Sequence, residues 1–272
     1  MTGRTPRPQA EIGVIGGSGF YELLTDARQV EVSTPYGDPS HPPAIGVVGE
    51  RRVAFLPRHG AGHRFPPHRI NYRANLWALR SLGVRQVLAP CAVGSLRPEF
   101  GPGSIMVPDQ VVDRTNGRVQ TYYDTGAVHV PFADPYCQEG RTGVLKAASS
   151  AGTEAHDGGT MVVVEGPRFS SRAESRWYAQ AGWSLINMTG QPEATLAREL
   201  GLCYTAVALV TDHDAGIQTG ESVDQDTVFR VFEENIERLR TVILRAVGLL
   251  PDHRTCRCAT ALDGLPLPFE LP

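Results

Sequence analysis

Short apolar runs alternate with amphipathic stretches along the chain, which is the pattern of an α/β protein. Apolar runs predict strands at Ile12–Ile15, Gln86–Ala89 and Tyr204–Thr211, and the nearly uninterrupted run at Thr160–Val164 predicts a strand buried on both faces. Further extended segments are predicted at Ile45–Val48 and Arg52–Leu56, which form a hairpin, and at Ser104–Pro108 and Val111–Val112. Apolar residues at helical spacing predict helices over Asn71–Leu82, Glu193–Glu199 and Asp226–Gly248.

No linker or internal repeat divides this pattern, so we predict one α/β domain over residues 11–250. Residues 1–10 are polar and contain proline, and we expect them to be a disordered lead-in; residues 251–272 form a tail. One long irregular segment, Thr115–Pro135, has more aromatic side chains than a free loop should expose. We therefore expect it to border a subunit interface through Tyr122, Tyr123, His129 and Phe132.

Composition narrows the function classes. The 272 residues are 41% hydrophobic and 20% charged, which suits a globular protein with an ample core. The net charge of -3 gives no basic bias towards nucleic acid or an anionic membrane. No apolar run approaches the roughly 20 residues of a membrane span, and the N-terminal residues lack the apolar core of a signal peptide. We expect a cytoplasmic protein that binds neither nucleic acid nor membrane.

Five cysteines are present, and a reducing compartment makes free thiols the default. Cys256-Arg257-Cys258, with His253 nearby, invites a structural zinc interpretation. A Cys-x-Cys pair lacks the second ligand pair of a usual zinc site, so the sequence favours a redox-sensitive or surface pair and predicts no metal.

Small residues and cations at three predicted strand ends suit an anion. Ser18 lies in Gly16–Gly19, Arg58-His59-Gly60 follows the strand that ends at Leu56, and Ala92–Ser95 lies within a turn predicted over Pro90–Leu96. The first turn is neither a dinucleotide-binding fingerprint nor a P-loop. Each turn alone is a weak signal, but the convergence of three in one sheet predicts a phosphate pocket.

Near Arg58, His63 and His68 raise the question of a metal. No acidic residue accompanies them at helical spacing, and Pro66-Pro67 breaks any helix there. A histidine-rich surface loop is the plainer alternative.

The most informative segments are Val164–Ser175 and Asn187–Thr189, because they place polar side chains after apolar runs. Polar residues at strand ends are where open α/β folds bind ligands. Ser171 and Glu174 also have capping-box spacing, so a helix start is the alternative for Ser171.

Two carboxylates, Asp212 and Asp214, follow the strand at Tyr204–Thr211. A carboxyl group in a partly apolar pocket has a raised pKa and can act as a general acid. A metal site, or a helix N-cap at Asp214, is the alternative interpretation.

These motifs together resemble the 5′-methylthioadenosine phosphorylases, of the trimeric branch of the purine nucleoside phosphorylases. The resemblance runs in order from about residue 12 to about residue 246. Its motifs are Ile15–Gly19, Pro57–Gly60, Asn71–Asn75, Gly94–Leu96, Glu165–Glu174, Ile186–Thr189 and Thr211–Asp214. Pro90-Cys91 departs from the family pattern, since a threonine-rich pair is usual there.

The resemblance implies an α/β/α phosphorylase fold in which helices flank a central mixed sheet. It also implies cleavage of the N-glycosidic bond of a purine nucleoside by inorganic phosphate, with no metal or organic cofactor. The implied assembly is a homotrimer or a dimer of trimers.

The resemblance also assigns site residues. Phosphate contacts fall on Ser18, Arg58, His59, the Ala92 backbone N–H and Thr189. For the nucleoside, Phe169 packs on the base with help from Ser170, Met188 and its neighbour Asn187 lie at the ribose, and Asp212 and Asp214 face the purine edge. His129 reaches the neighbouring subunit's 5′ pocket, and Val228, Ile217 and Val223 are candidates for an apolar 5′ wall.

Base choice depends on one side chain. An aspartate accepts from the N6 amino group of adenine, whereas an asparagine would suit the O6 atom of hypoxanthine or guanine. Asp212 therefore favours 5′-methylthioadenosine as substrate and Asp212 with Asp214 as the catalytic pair. The alternatives are a phosphorylase for 6-oxopurine nucleosides (inosine, guanosine or methylthioinosine), a hydrolase, and a silent nucleoside-binding protein.

Overall fold

The computed structural model describes residues 10–17, 24, 27–215, 217 and 222–272. Within those residues, eleven strands form one mixed sheet and five α-helices pack against it. The strands are β1 (Ile12–Gly16), β2 (Arg28–Gln29), β3 (Ala44–Val48), β4 (Arg51–Pro57), β5 (Gln86–Ser95), β6 (Ile105–Val107), β7 (Gln110–Arg114), β8 (Ala155–Asp157), β9 (Thr160–Val164), β10 (Leu185–Asn187) and β11 (Cys203–His213). The helices are α1 (Tyr72–Ser81), α2 (Gln138–Ser150), α3 (Arg172–Gln180), α4 (Gly190–Glu199) and α5 (Gln225–Leu249).

Strand β5 is the centre of the sheet. It pairs in parallel with β1 and β11, and its last residues pair antiparallel with β10. The main path of the sheet is β2-β3-β4-β1-β5-β10-β9-β7, and β11 continues it on the other side through β6 to β8. The predicted α/β fold with a mixed sheet flanked by helices is confirmed, as is the hairpin of β3 and β4.

Two apolar clusters cover the two faces of the sheet. Odd residues of β5 such as Val87 and Val93 belong to a cluster with α1 and α4, and even residues such as Leu88 belong to one with α2 and α5. β11 alternates in the same way, with Val210 in the first cluster and Leu209 in the second. Burial on both faces explains why these strands are continuous apolar runs.

The alternation of β11 breaks at one position. Val210 pairs with Val93, but Asp212 pairs with the next residue, Gly94, so Thr211 is an extra residue in β11. Such a β-bulge turns the following side chain to the other face of the sheet. Asp212 therefore lies on the Gly94 side of the sheet instead of the side of Val210.

One prediction of local structure was wrong, and two further elements were not predicted. The turn predicted over Pro90–Leu96 is the second half of β5, and the strand ends only at Ser95. Helix α2 and strand β8 were not predicted. Gly140 and Gly143 weaken the helical signal of α2, but a Cβ atom at Gly140 would lie only 2.0 Å from the Thr205 hydroxyl oxygen, so close packing excludes any larger residue there.

The aromatic side chains of Thr115–Pro135 pack inside the chain, so the argument for an interface from their exposure is wrong. Tyr122 is 2% exposed and stacks obliquely against Tyr36 and Trp77. Phe269, from the tail, packs on Tyr122 and Tyr123. The tail was not foreseen as their cover because it is distant in sequence.

The tail lies against the body of the domain. The guanidinium group of Arg80 donates to the carbonyl oxygen of Pro272 at 2.9 Å, and Arg254 donates to that of Gly201 at 2.7 Å. Cys256 and Cys258 meet Cys137 and Cys203 there, so the second thiol pair that the sequence pattern lacked is supplied by the fold. None of the helices in the described residues is long and apolar enough to cross a membrane.

Candidate active site

One cavity of about 610 Å³ opens at the ends of the central strands. Gly17 follows β1, Arg58 follows β4, Met188 follows β10 and Asp212 lies near the end of β11, so four strand ends converge on it. This is the edge of an α/β sheet at which ligands usually bind. Eleven of the predicted site residues line it: Arg58, His59, Ala92, Phe169, Ser170, Asn187, Met188, Thr189, Asp212, Asp214 and Val228.

Four residues predicted for the site are not among those that line the cavity, and two of them are the 5′-wall candidates Ile217 and Val223. Ser18 lies outside the described residues. His129 is exposed on the irregular segment and does not line its own chain's cavity. Ser171 does not line it either; its side chain accepts from the Glu174 N–H and caps α3, so its helix-start interpretation is confirmed.

Arg58 is a buried cation held by a buried anion. Its Nε and Nη2 atoms donate to the Glu193 carboxylate at 2.8 and 2.9 Å, and the two side chains are 2% and 0% exposed. Burial alone would lower the pKa of Arg58, but the ion pair with the Glu193 carboxylate raises that pKa by more than burial lowers it. The guanidinium therefore stays charged. The Tyr204 hydroxyl also donates to Glu193, at 2.7 Å.

This pairing fixes the orientation of the guanidinium. Nη2 also donates to the Ile15 carbonyl at 3.0 Å, and Nη1 donates to the Pro90 carbonyl at 3.1 Å. Of the five donors of an arginine, the described residues accept from four, and one on Nη1 is available to a ligand. Nη1 would lie 3.8 Å from a Cβ atom at Gly17, so this end of the guanidinium lies near the residue that follows β1.

His59 presents a neutral ring beside Arg58. Burial, assisted by the neighbouring His63, lowers the pKa of His59 to about 3. Its Nδ1 lies 2.8 Å from the Phe65 carbonyl oxygen, and a carbonyl only accepts, so Nδ1 carries the proton. Nε2 is then an acceptor, which complements the hydroxyl of a monoprotonated phosphate.

Asn187 organises the turn between β10 and α4. Its side-chain oxygen accepts from the backbone N–H groups of Thr189 and Gly190 at 2.7 and 2.6 Å, and its amide donates to the Ala92 carbonyl at 3.1 Å. These bonds fix the turn at Thr189 beside the cavity; the regular part of α4 begins only after Gln191, whose φ of -123° and ψ of 139° are extended. Asn187 contributes to the site mainly by positioning Thr189 and Ala92.

The other walls are largely apolar. Phe169 and Met188 line the cavity, as do Val228, Phe229 and Phe232 of α5. Cys91 lies at the floor, and burial raises the pKa of its thiol to about 12, so the thiol stays protonated and is not a nucleophile. A flat, apolar ligand fits between these walls.

Asp212 is a titratable group that lines the cavity. Burial raises its pKa to about 6, a hydrogen bond from the Thr211 hydroxyl at 2.8 Å opposes the shift, and the Asp214 carboxylate adds to it. A carboxyl group with this pKa exists in both protonation states near neutral pH, as a general acid requires.

Asp214 is more deeply buried, at 4% exposed. Burial raises its pKa, and hydrogen bonds from Ser175 and Ser170 oppose the shift. The Ser175 hydroxyl donates to the Asp214 carboxylate at 2.5 Å. This bond links Asp214 to α3, so Ser175 is a positioning residue.

Gly94 leaves room for Asp212. A Cβ atom there would lie 2.9 Å from the Ile186 Cγ2 atom and 3.1 Å from the Asp212 carboxylate. Gly94→Ala is therefore expected to displace Asp212 and lower kcat/KM by about tenfold, or about 1.4 kcal/mol. Steady-state kinetics will measure it, with Gly248→Ala as a control because a Cβ atom at Gly248 meets nothing within 4 Å. An unchanged kcat/KM in Gly94→Ala would show that Asp212 does not need this position.

The sequence analysis missed the partners of the site residues. Glu193 was counted only as the first residue of a predicted helix, and Ser175 was not assigned a role. The sequence carried no signal for Glu193, since acidic residues are common in the first turn of a helix. Phe229 and Phe232 lie near Val228 in α5, but only Val228 was named as a candidate for the apolar wall.

The chain is similar to known proteins over nearly its whole length. A family model described as the phosphorylase superfamily matches residues 11–248. A purine nucleoside phosphorylase from Streptomyces coelicolor is 59% identical, covering 97% of this chain and 98% of the relative. An S-methyl-5′-thioadenosine phosphorylase from Mycolicibacterium smegmatis is also 59% identical, covering 96% of this chain and 99% of the relative. The structure of a methylthioadenosine phosphorylase from Schistosoma mansoni with adenine superposes with a TM-score of 0.86 at 37% identity, covering 90% of this chain and 93% of the other.

Proposed function

The chain belongs to the phosphorylase superfamily, and on that premise we propose that it cleaves the N-glycosidic bond of 5′-methylthioadenosine with inorganic phosphate. The products are adenine and 5-methylthioribose 1-phosphate. The observation that carries this proposal is one cavity that is lined both by the cation and donors of an anion site and by the carboxyl group of Asp212. A phosphorolysis needs both, because one reactant is an anion and the leaving base takes up a proton.

The anion site receives the phosphate. Arg58 supplies a charged donor, Thr189 supplies the hydroxyl of a side chain that lines the cavity, and the neutral ring of His59 accepts from the phosphate hydroxyl. The bond to the base breaks with positive charge on the ribose. A phosphate held next to that carbon stabilises the charge and then forms the new C–O bond.

Asp212 serves the leaving adenine. As the glycosidic bond breaks, negative charge moves into the purine and a proton at N7 neutralises it. The pKa of about 6 allows Asp212 to supply that proton, directly or through water, and to accept from the N6 amino group when ionised. Asp214, held by Ser175, faces the same edge of the base.

The apolar walls determine which nucleophile captures the sugar. Phe169 and Met188 pack beside the base and the ribose and exclude water, so phosphate reacts and hydrolysis does not compete. Val228, with Phe229 and Phe232, provides an apolar surface that fits a methylthio group better than a hydroxyl.

A phosphorylase for inosine or guanosine is the second candidate, because one relative of equal identity is named a purine nucleoside phosphorylase. The identity of residue 212 disfavours this second candidate. The O6 atom of a 6-oxopurine accepts a hydrogen bond, and an ionised Asp212 has no hydrogen to donate to it.

The deciding experiment is an activity panel. We expect methylthioadenosine to be cleaved faster than adenosine, and inosine and guanosine to be poor substrates, with turnover only when phosphate is present. Product analysis should give the sugar 1-phosphate. Equal turnover in phosphate-free buffer would indicate a hydrolase, and preference for inosine would favour the second candidate.

A homotrimer with shared sites is the assembly we propose. His129 is exposed and does not line its own chain's cavity, which suits a residue that completes the 5′ pocket of a neighbour. Mixed oligomers of the His129→Ala and Asp212→Asn variants are expected to regain activity, because some sites combine an intact Asp212 with a neighbour's intact His129. Absence of complementation in mixtures shown by sedimentation to contain hybrid trimers would contradict this arrangement.

The proposed reaction needs no cofactor, since phosphate is a substrate and the proton comes from the protein. We also propose a cytoplasmic location, which suits five cysteines of which none forms a disulfide.

A further inference from the structure

Four of the five cysteines, although distant in sequence, lie close together in the structure. The Sγ atoms of Cys137, Cys203, Cys256 and Cys258 all lie within 4.8 Å of one another, and the Cys203 and Cys256 atoms are 3.3 Å apart. A tetrahedral zinc site with Zn–S bonds of about 2.3 Å requires S···S separations of about 3.8 Å. A disulfide requires about 2.0 Å, so the thiols are placed as ligands would be.

The backbone holds these thiols from three directions. Cys137 precedes α2, and its N–H donates to the Tyr204 carbonyl at 2.8 Å. Cys203 begins β11, and its N–H donates to the Arg85 carbonyl at 2.9 Å. The tail supplies the other two, with Cys137, Cys203 and Cys258 buried and Cys256 half-buried. A closed, buried set of four thiols is the form of a structural site, with no position open to substrate.

Two arginines face the cluster. Arg198, 4% exposed, lies 3.7 Å from the Cys258 sulfur through Nη2, and Arg254 lies 3.8 Å from the Cys203 sulfur through Nη1. A zinc ion with four thiolates carries a net charge of two minus, and the two guanidinium groups compensate it. Such donors to ligand sulfur atoms are the usual outer partners of a metal site. Four neutral thiols would offer no negative charge to the buried Arg198 or to the half-buried Arg254.

We propose that Cys137, Cys203, Cys256 and Cys258 bind one zinc ion that fastens the C-terminal tail to the domain. All-thiolate tetrahedral sites select zinc or iron, and a site with no redox role takes zinc. The same tail carries Phe269 onto Tyr122 and Tyr123, and Arg198 donates to the Pro131 and Asp134 carbonyls of the irregular segment. The ion therefore stabilises the tail and that segment together.

The test is the metal content of the full chain, purified without added metal or chelator. Inductively coupled plasma mass spectrometry is expected to give about one zinc per chain, released when a mercurial reagent titrates the thiols. Cys258→Ser is expected to lose the zinc and to have a lower Tm. Cys91→Ser is the matched control, because Cys91 lies outside the cluster, and it is expected to keep the zinc.

A second measurement does not depend on the variants folding. Cobalt exchanged into the natural protein is expected to show the strong visible absorption of a tetrahedral cobalt–thiolate centre. One iron per chain would overturn the assignment of zinc. A metal-free protein whose mass shows the loss of four hydrogens would show two disulfides, and metal-free thiols that take up neither zinc nor cobalt would equally overturn the proposal.

Discussion

Asp212→Asn is expected to lower kcat/KM for methylthioadenosine by at least about two orders of magnitude, or about 3 kcal/mol. The amide is close in size to the carboxyl group but has no titratable proton, so the leaving adenine departs without one. It also turns a donor group towards the N6 amino group. The measurement is kcat/KM for methylthioadenosine and for inosine in both proteins, and inosine is expected to lose less or to gain.

The pH profile separates proton donation from simple contact. The pKa of Asp212 is about 6, so the protonated fraction falls as the pH rises through that value, and kcat/KM should fall with it. In Asp212→Asn this descending limb is expected to vanish, while the titration of phosphate itself affects both proteins alike. Asp263→Asn, at an exposed position of the tail, is the control for the same chemical change. An unchanged ratio between the two substrates would show that Asp212 does not recognise position 6 of the base.

Arg58→Met is the second change with a large expected effect, and it acts on both binding and stability. Removing one member of a buried ion pair costs about 3–5 kcal/mol of the free energy of unfolding, because Glu193 is left as an uncompensated charge. The loss of the charged donor is also expected to raise the KM for phosphate and to lower kcat by a combined 2–4 kcal/mol or about 30-fold to 1,000-fold.

A double variant separates these two effects. In Arg58→Met/Glu193→Gln both charges of this buried pair are removed. The glutamine oxygen can still accept from the Tyr204 hydroxyl, as the Glu193 carboxylate does. Denaturant unfolding is expected to show that most of the lost stability returns, while the KM for phosphate stays high. Recovery of phosphate use in the double variant would mean that Arg58 acts on the fold alone and does not bind phosphate.

The fold was predictable where one kind of interaction dominated. β1, β9 and the first half of β5 are continuous apolar runs because sheet neighbours and helices cover both faces. The second half of β5 contains Pro90 and Gly94, which locally favour a turn. It remains a strand because β11 pairs with it throughout and β10 pairs with its end, and neither pairing is visible in local sequence.

The site was predictable in its parts but not in its connections. Charged and small residues at strand ends indicated the cavity, since parallel strands end at a common edge. The pairs that fix those residues join positions far apart in sequence: Arg58 with Glu193, Asp214 with Ser175, and the tail cysteines with Cys137 and Cys203. The face of the sheet on which Asp212 lies could not be predicted from the sequence either, because the bulge at Thr211 depends on the register between β11 and β5.

The bulge at Thr211 makes the orientation of Asp212 a property of strand register. If β11 alternated without a bulge, Thr211 would pair with Gly94 and Asp212 would pair with Ser95. Asp212 would then lie on the side of Val210, among the apolar residues that pack on α1 and α4. Deleting Thr211 would close the bulge and leave Asp212 opposite Gly94, whereas a slip of one residue after Val210 would turn the carboxylate away from the Gly94 side.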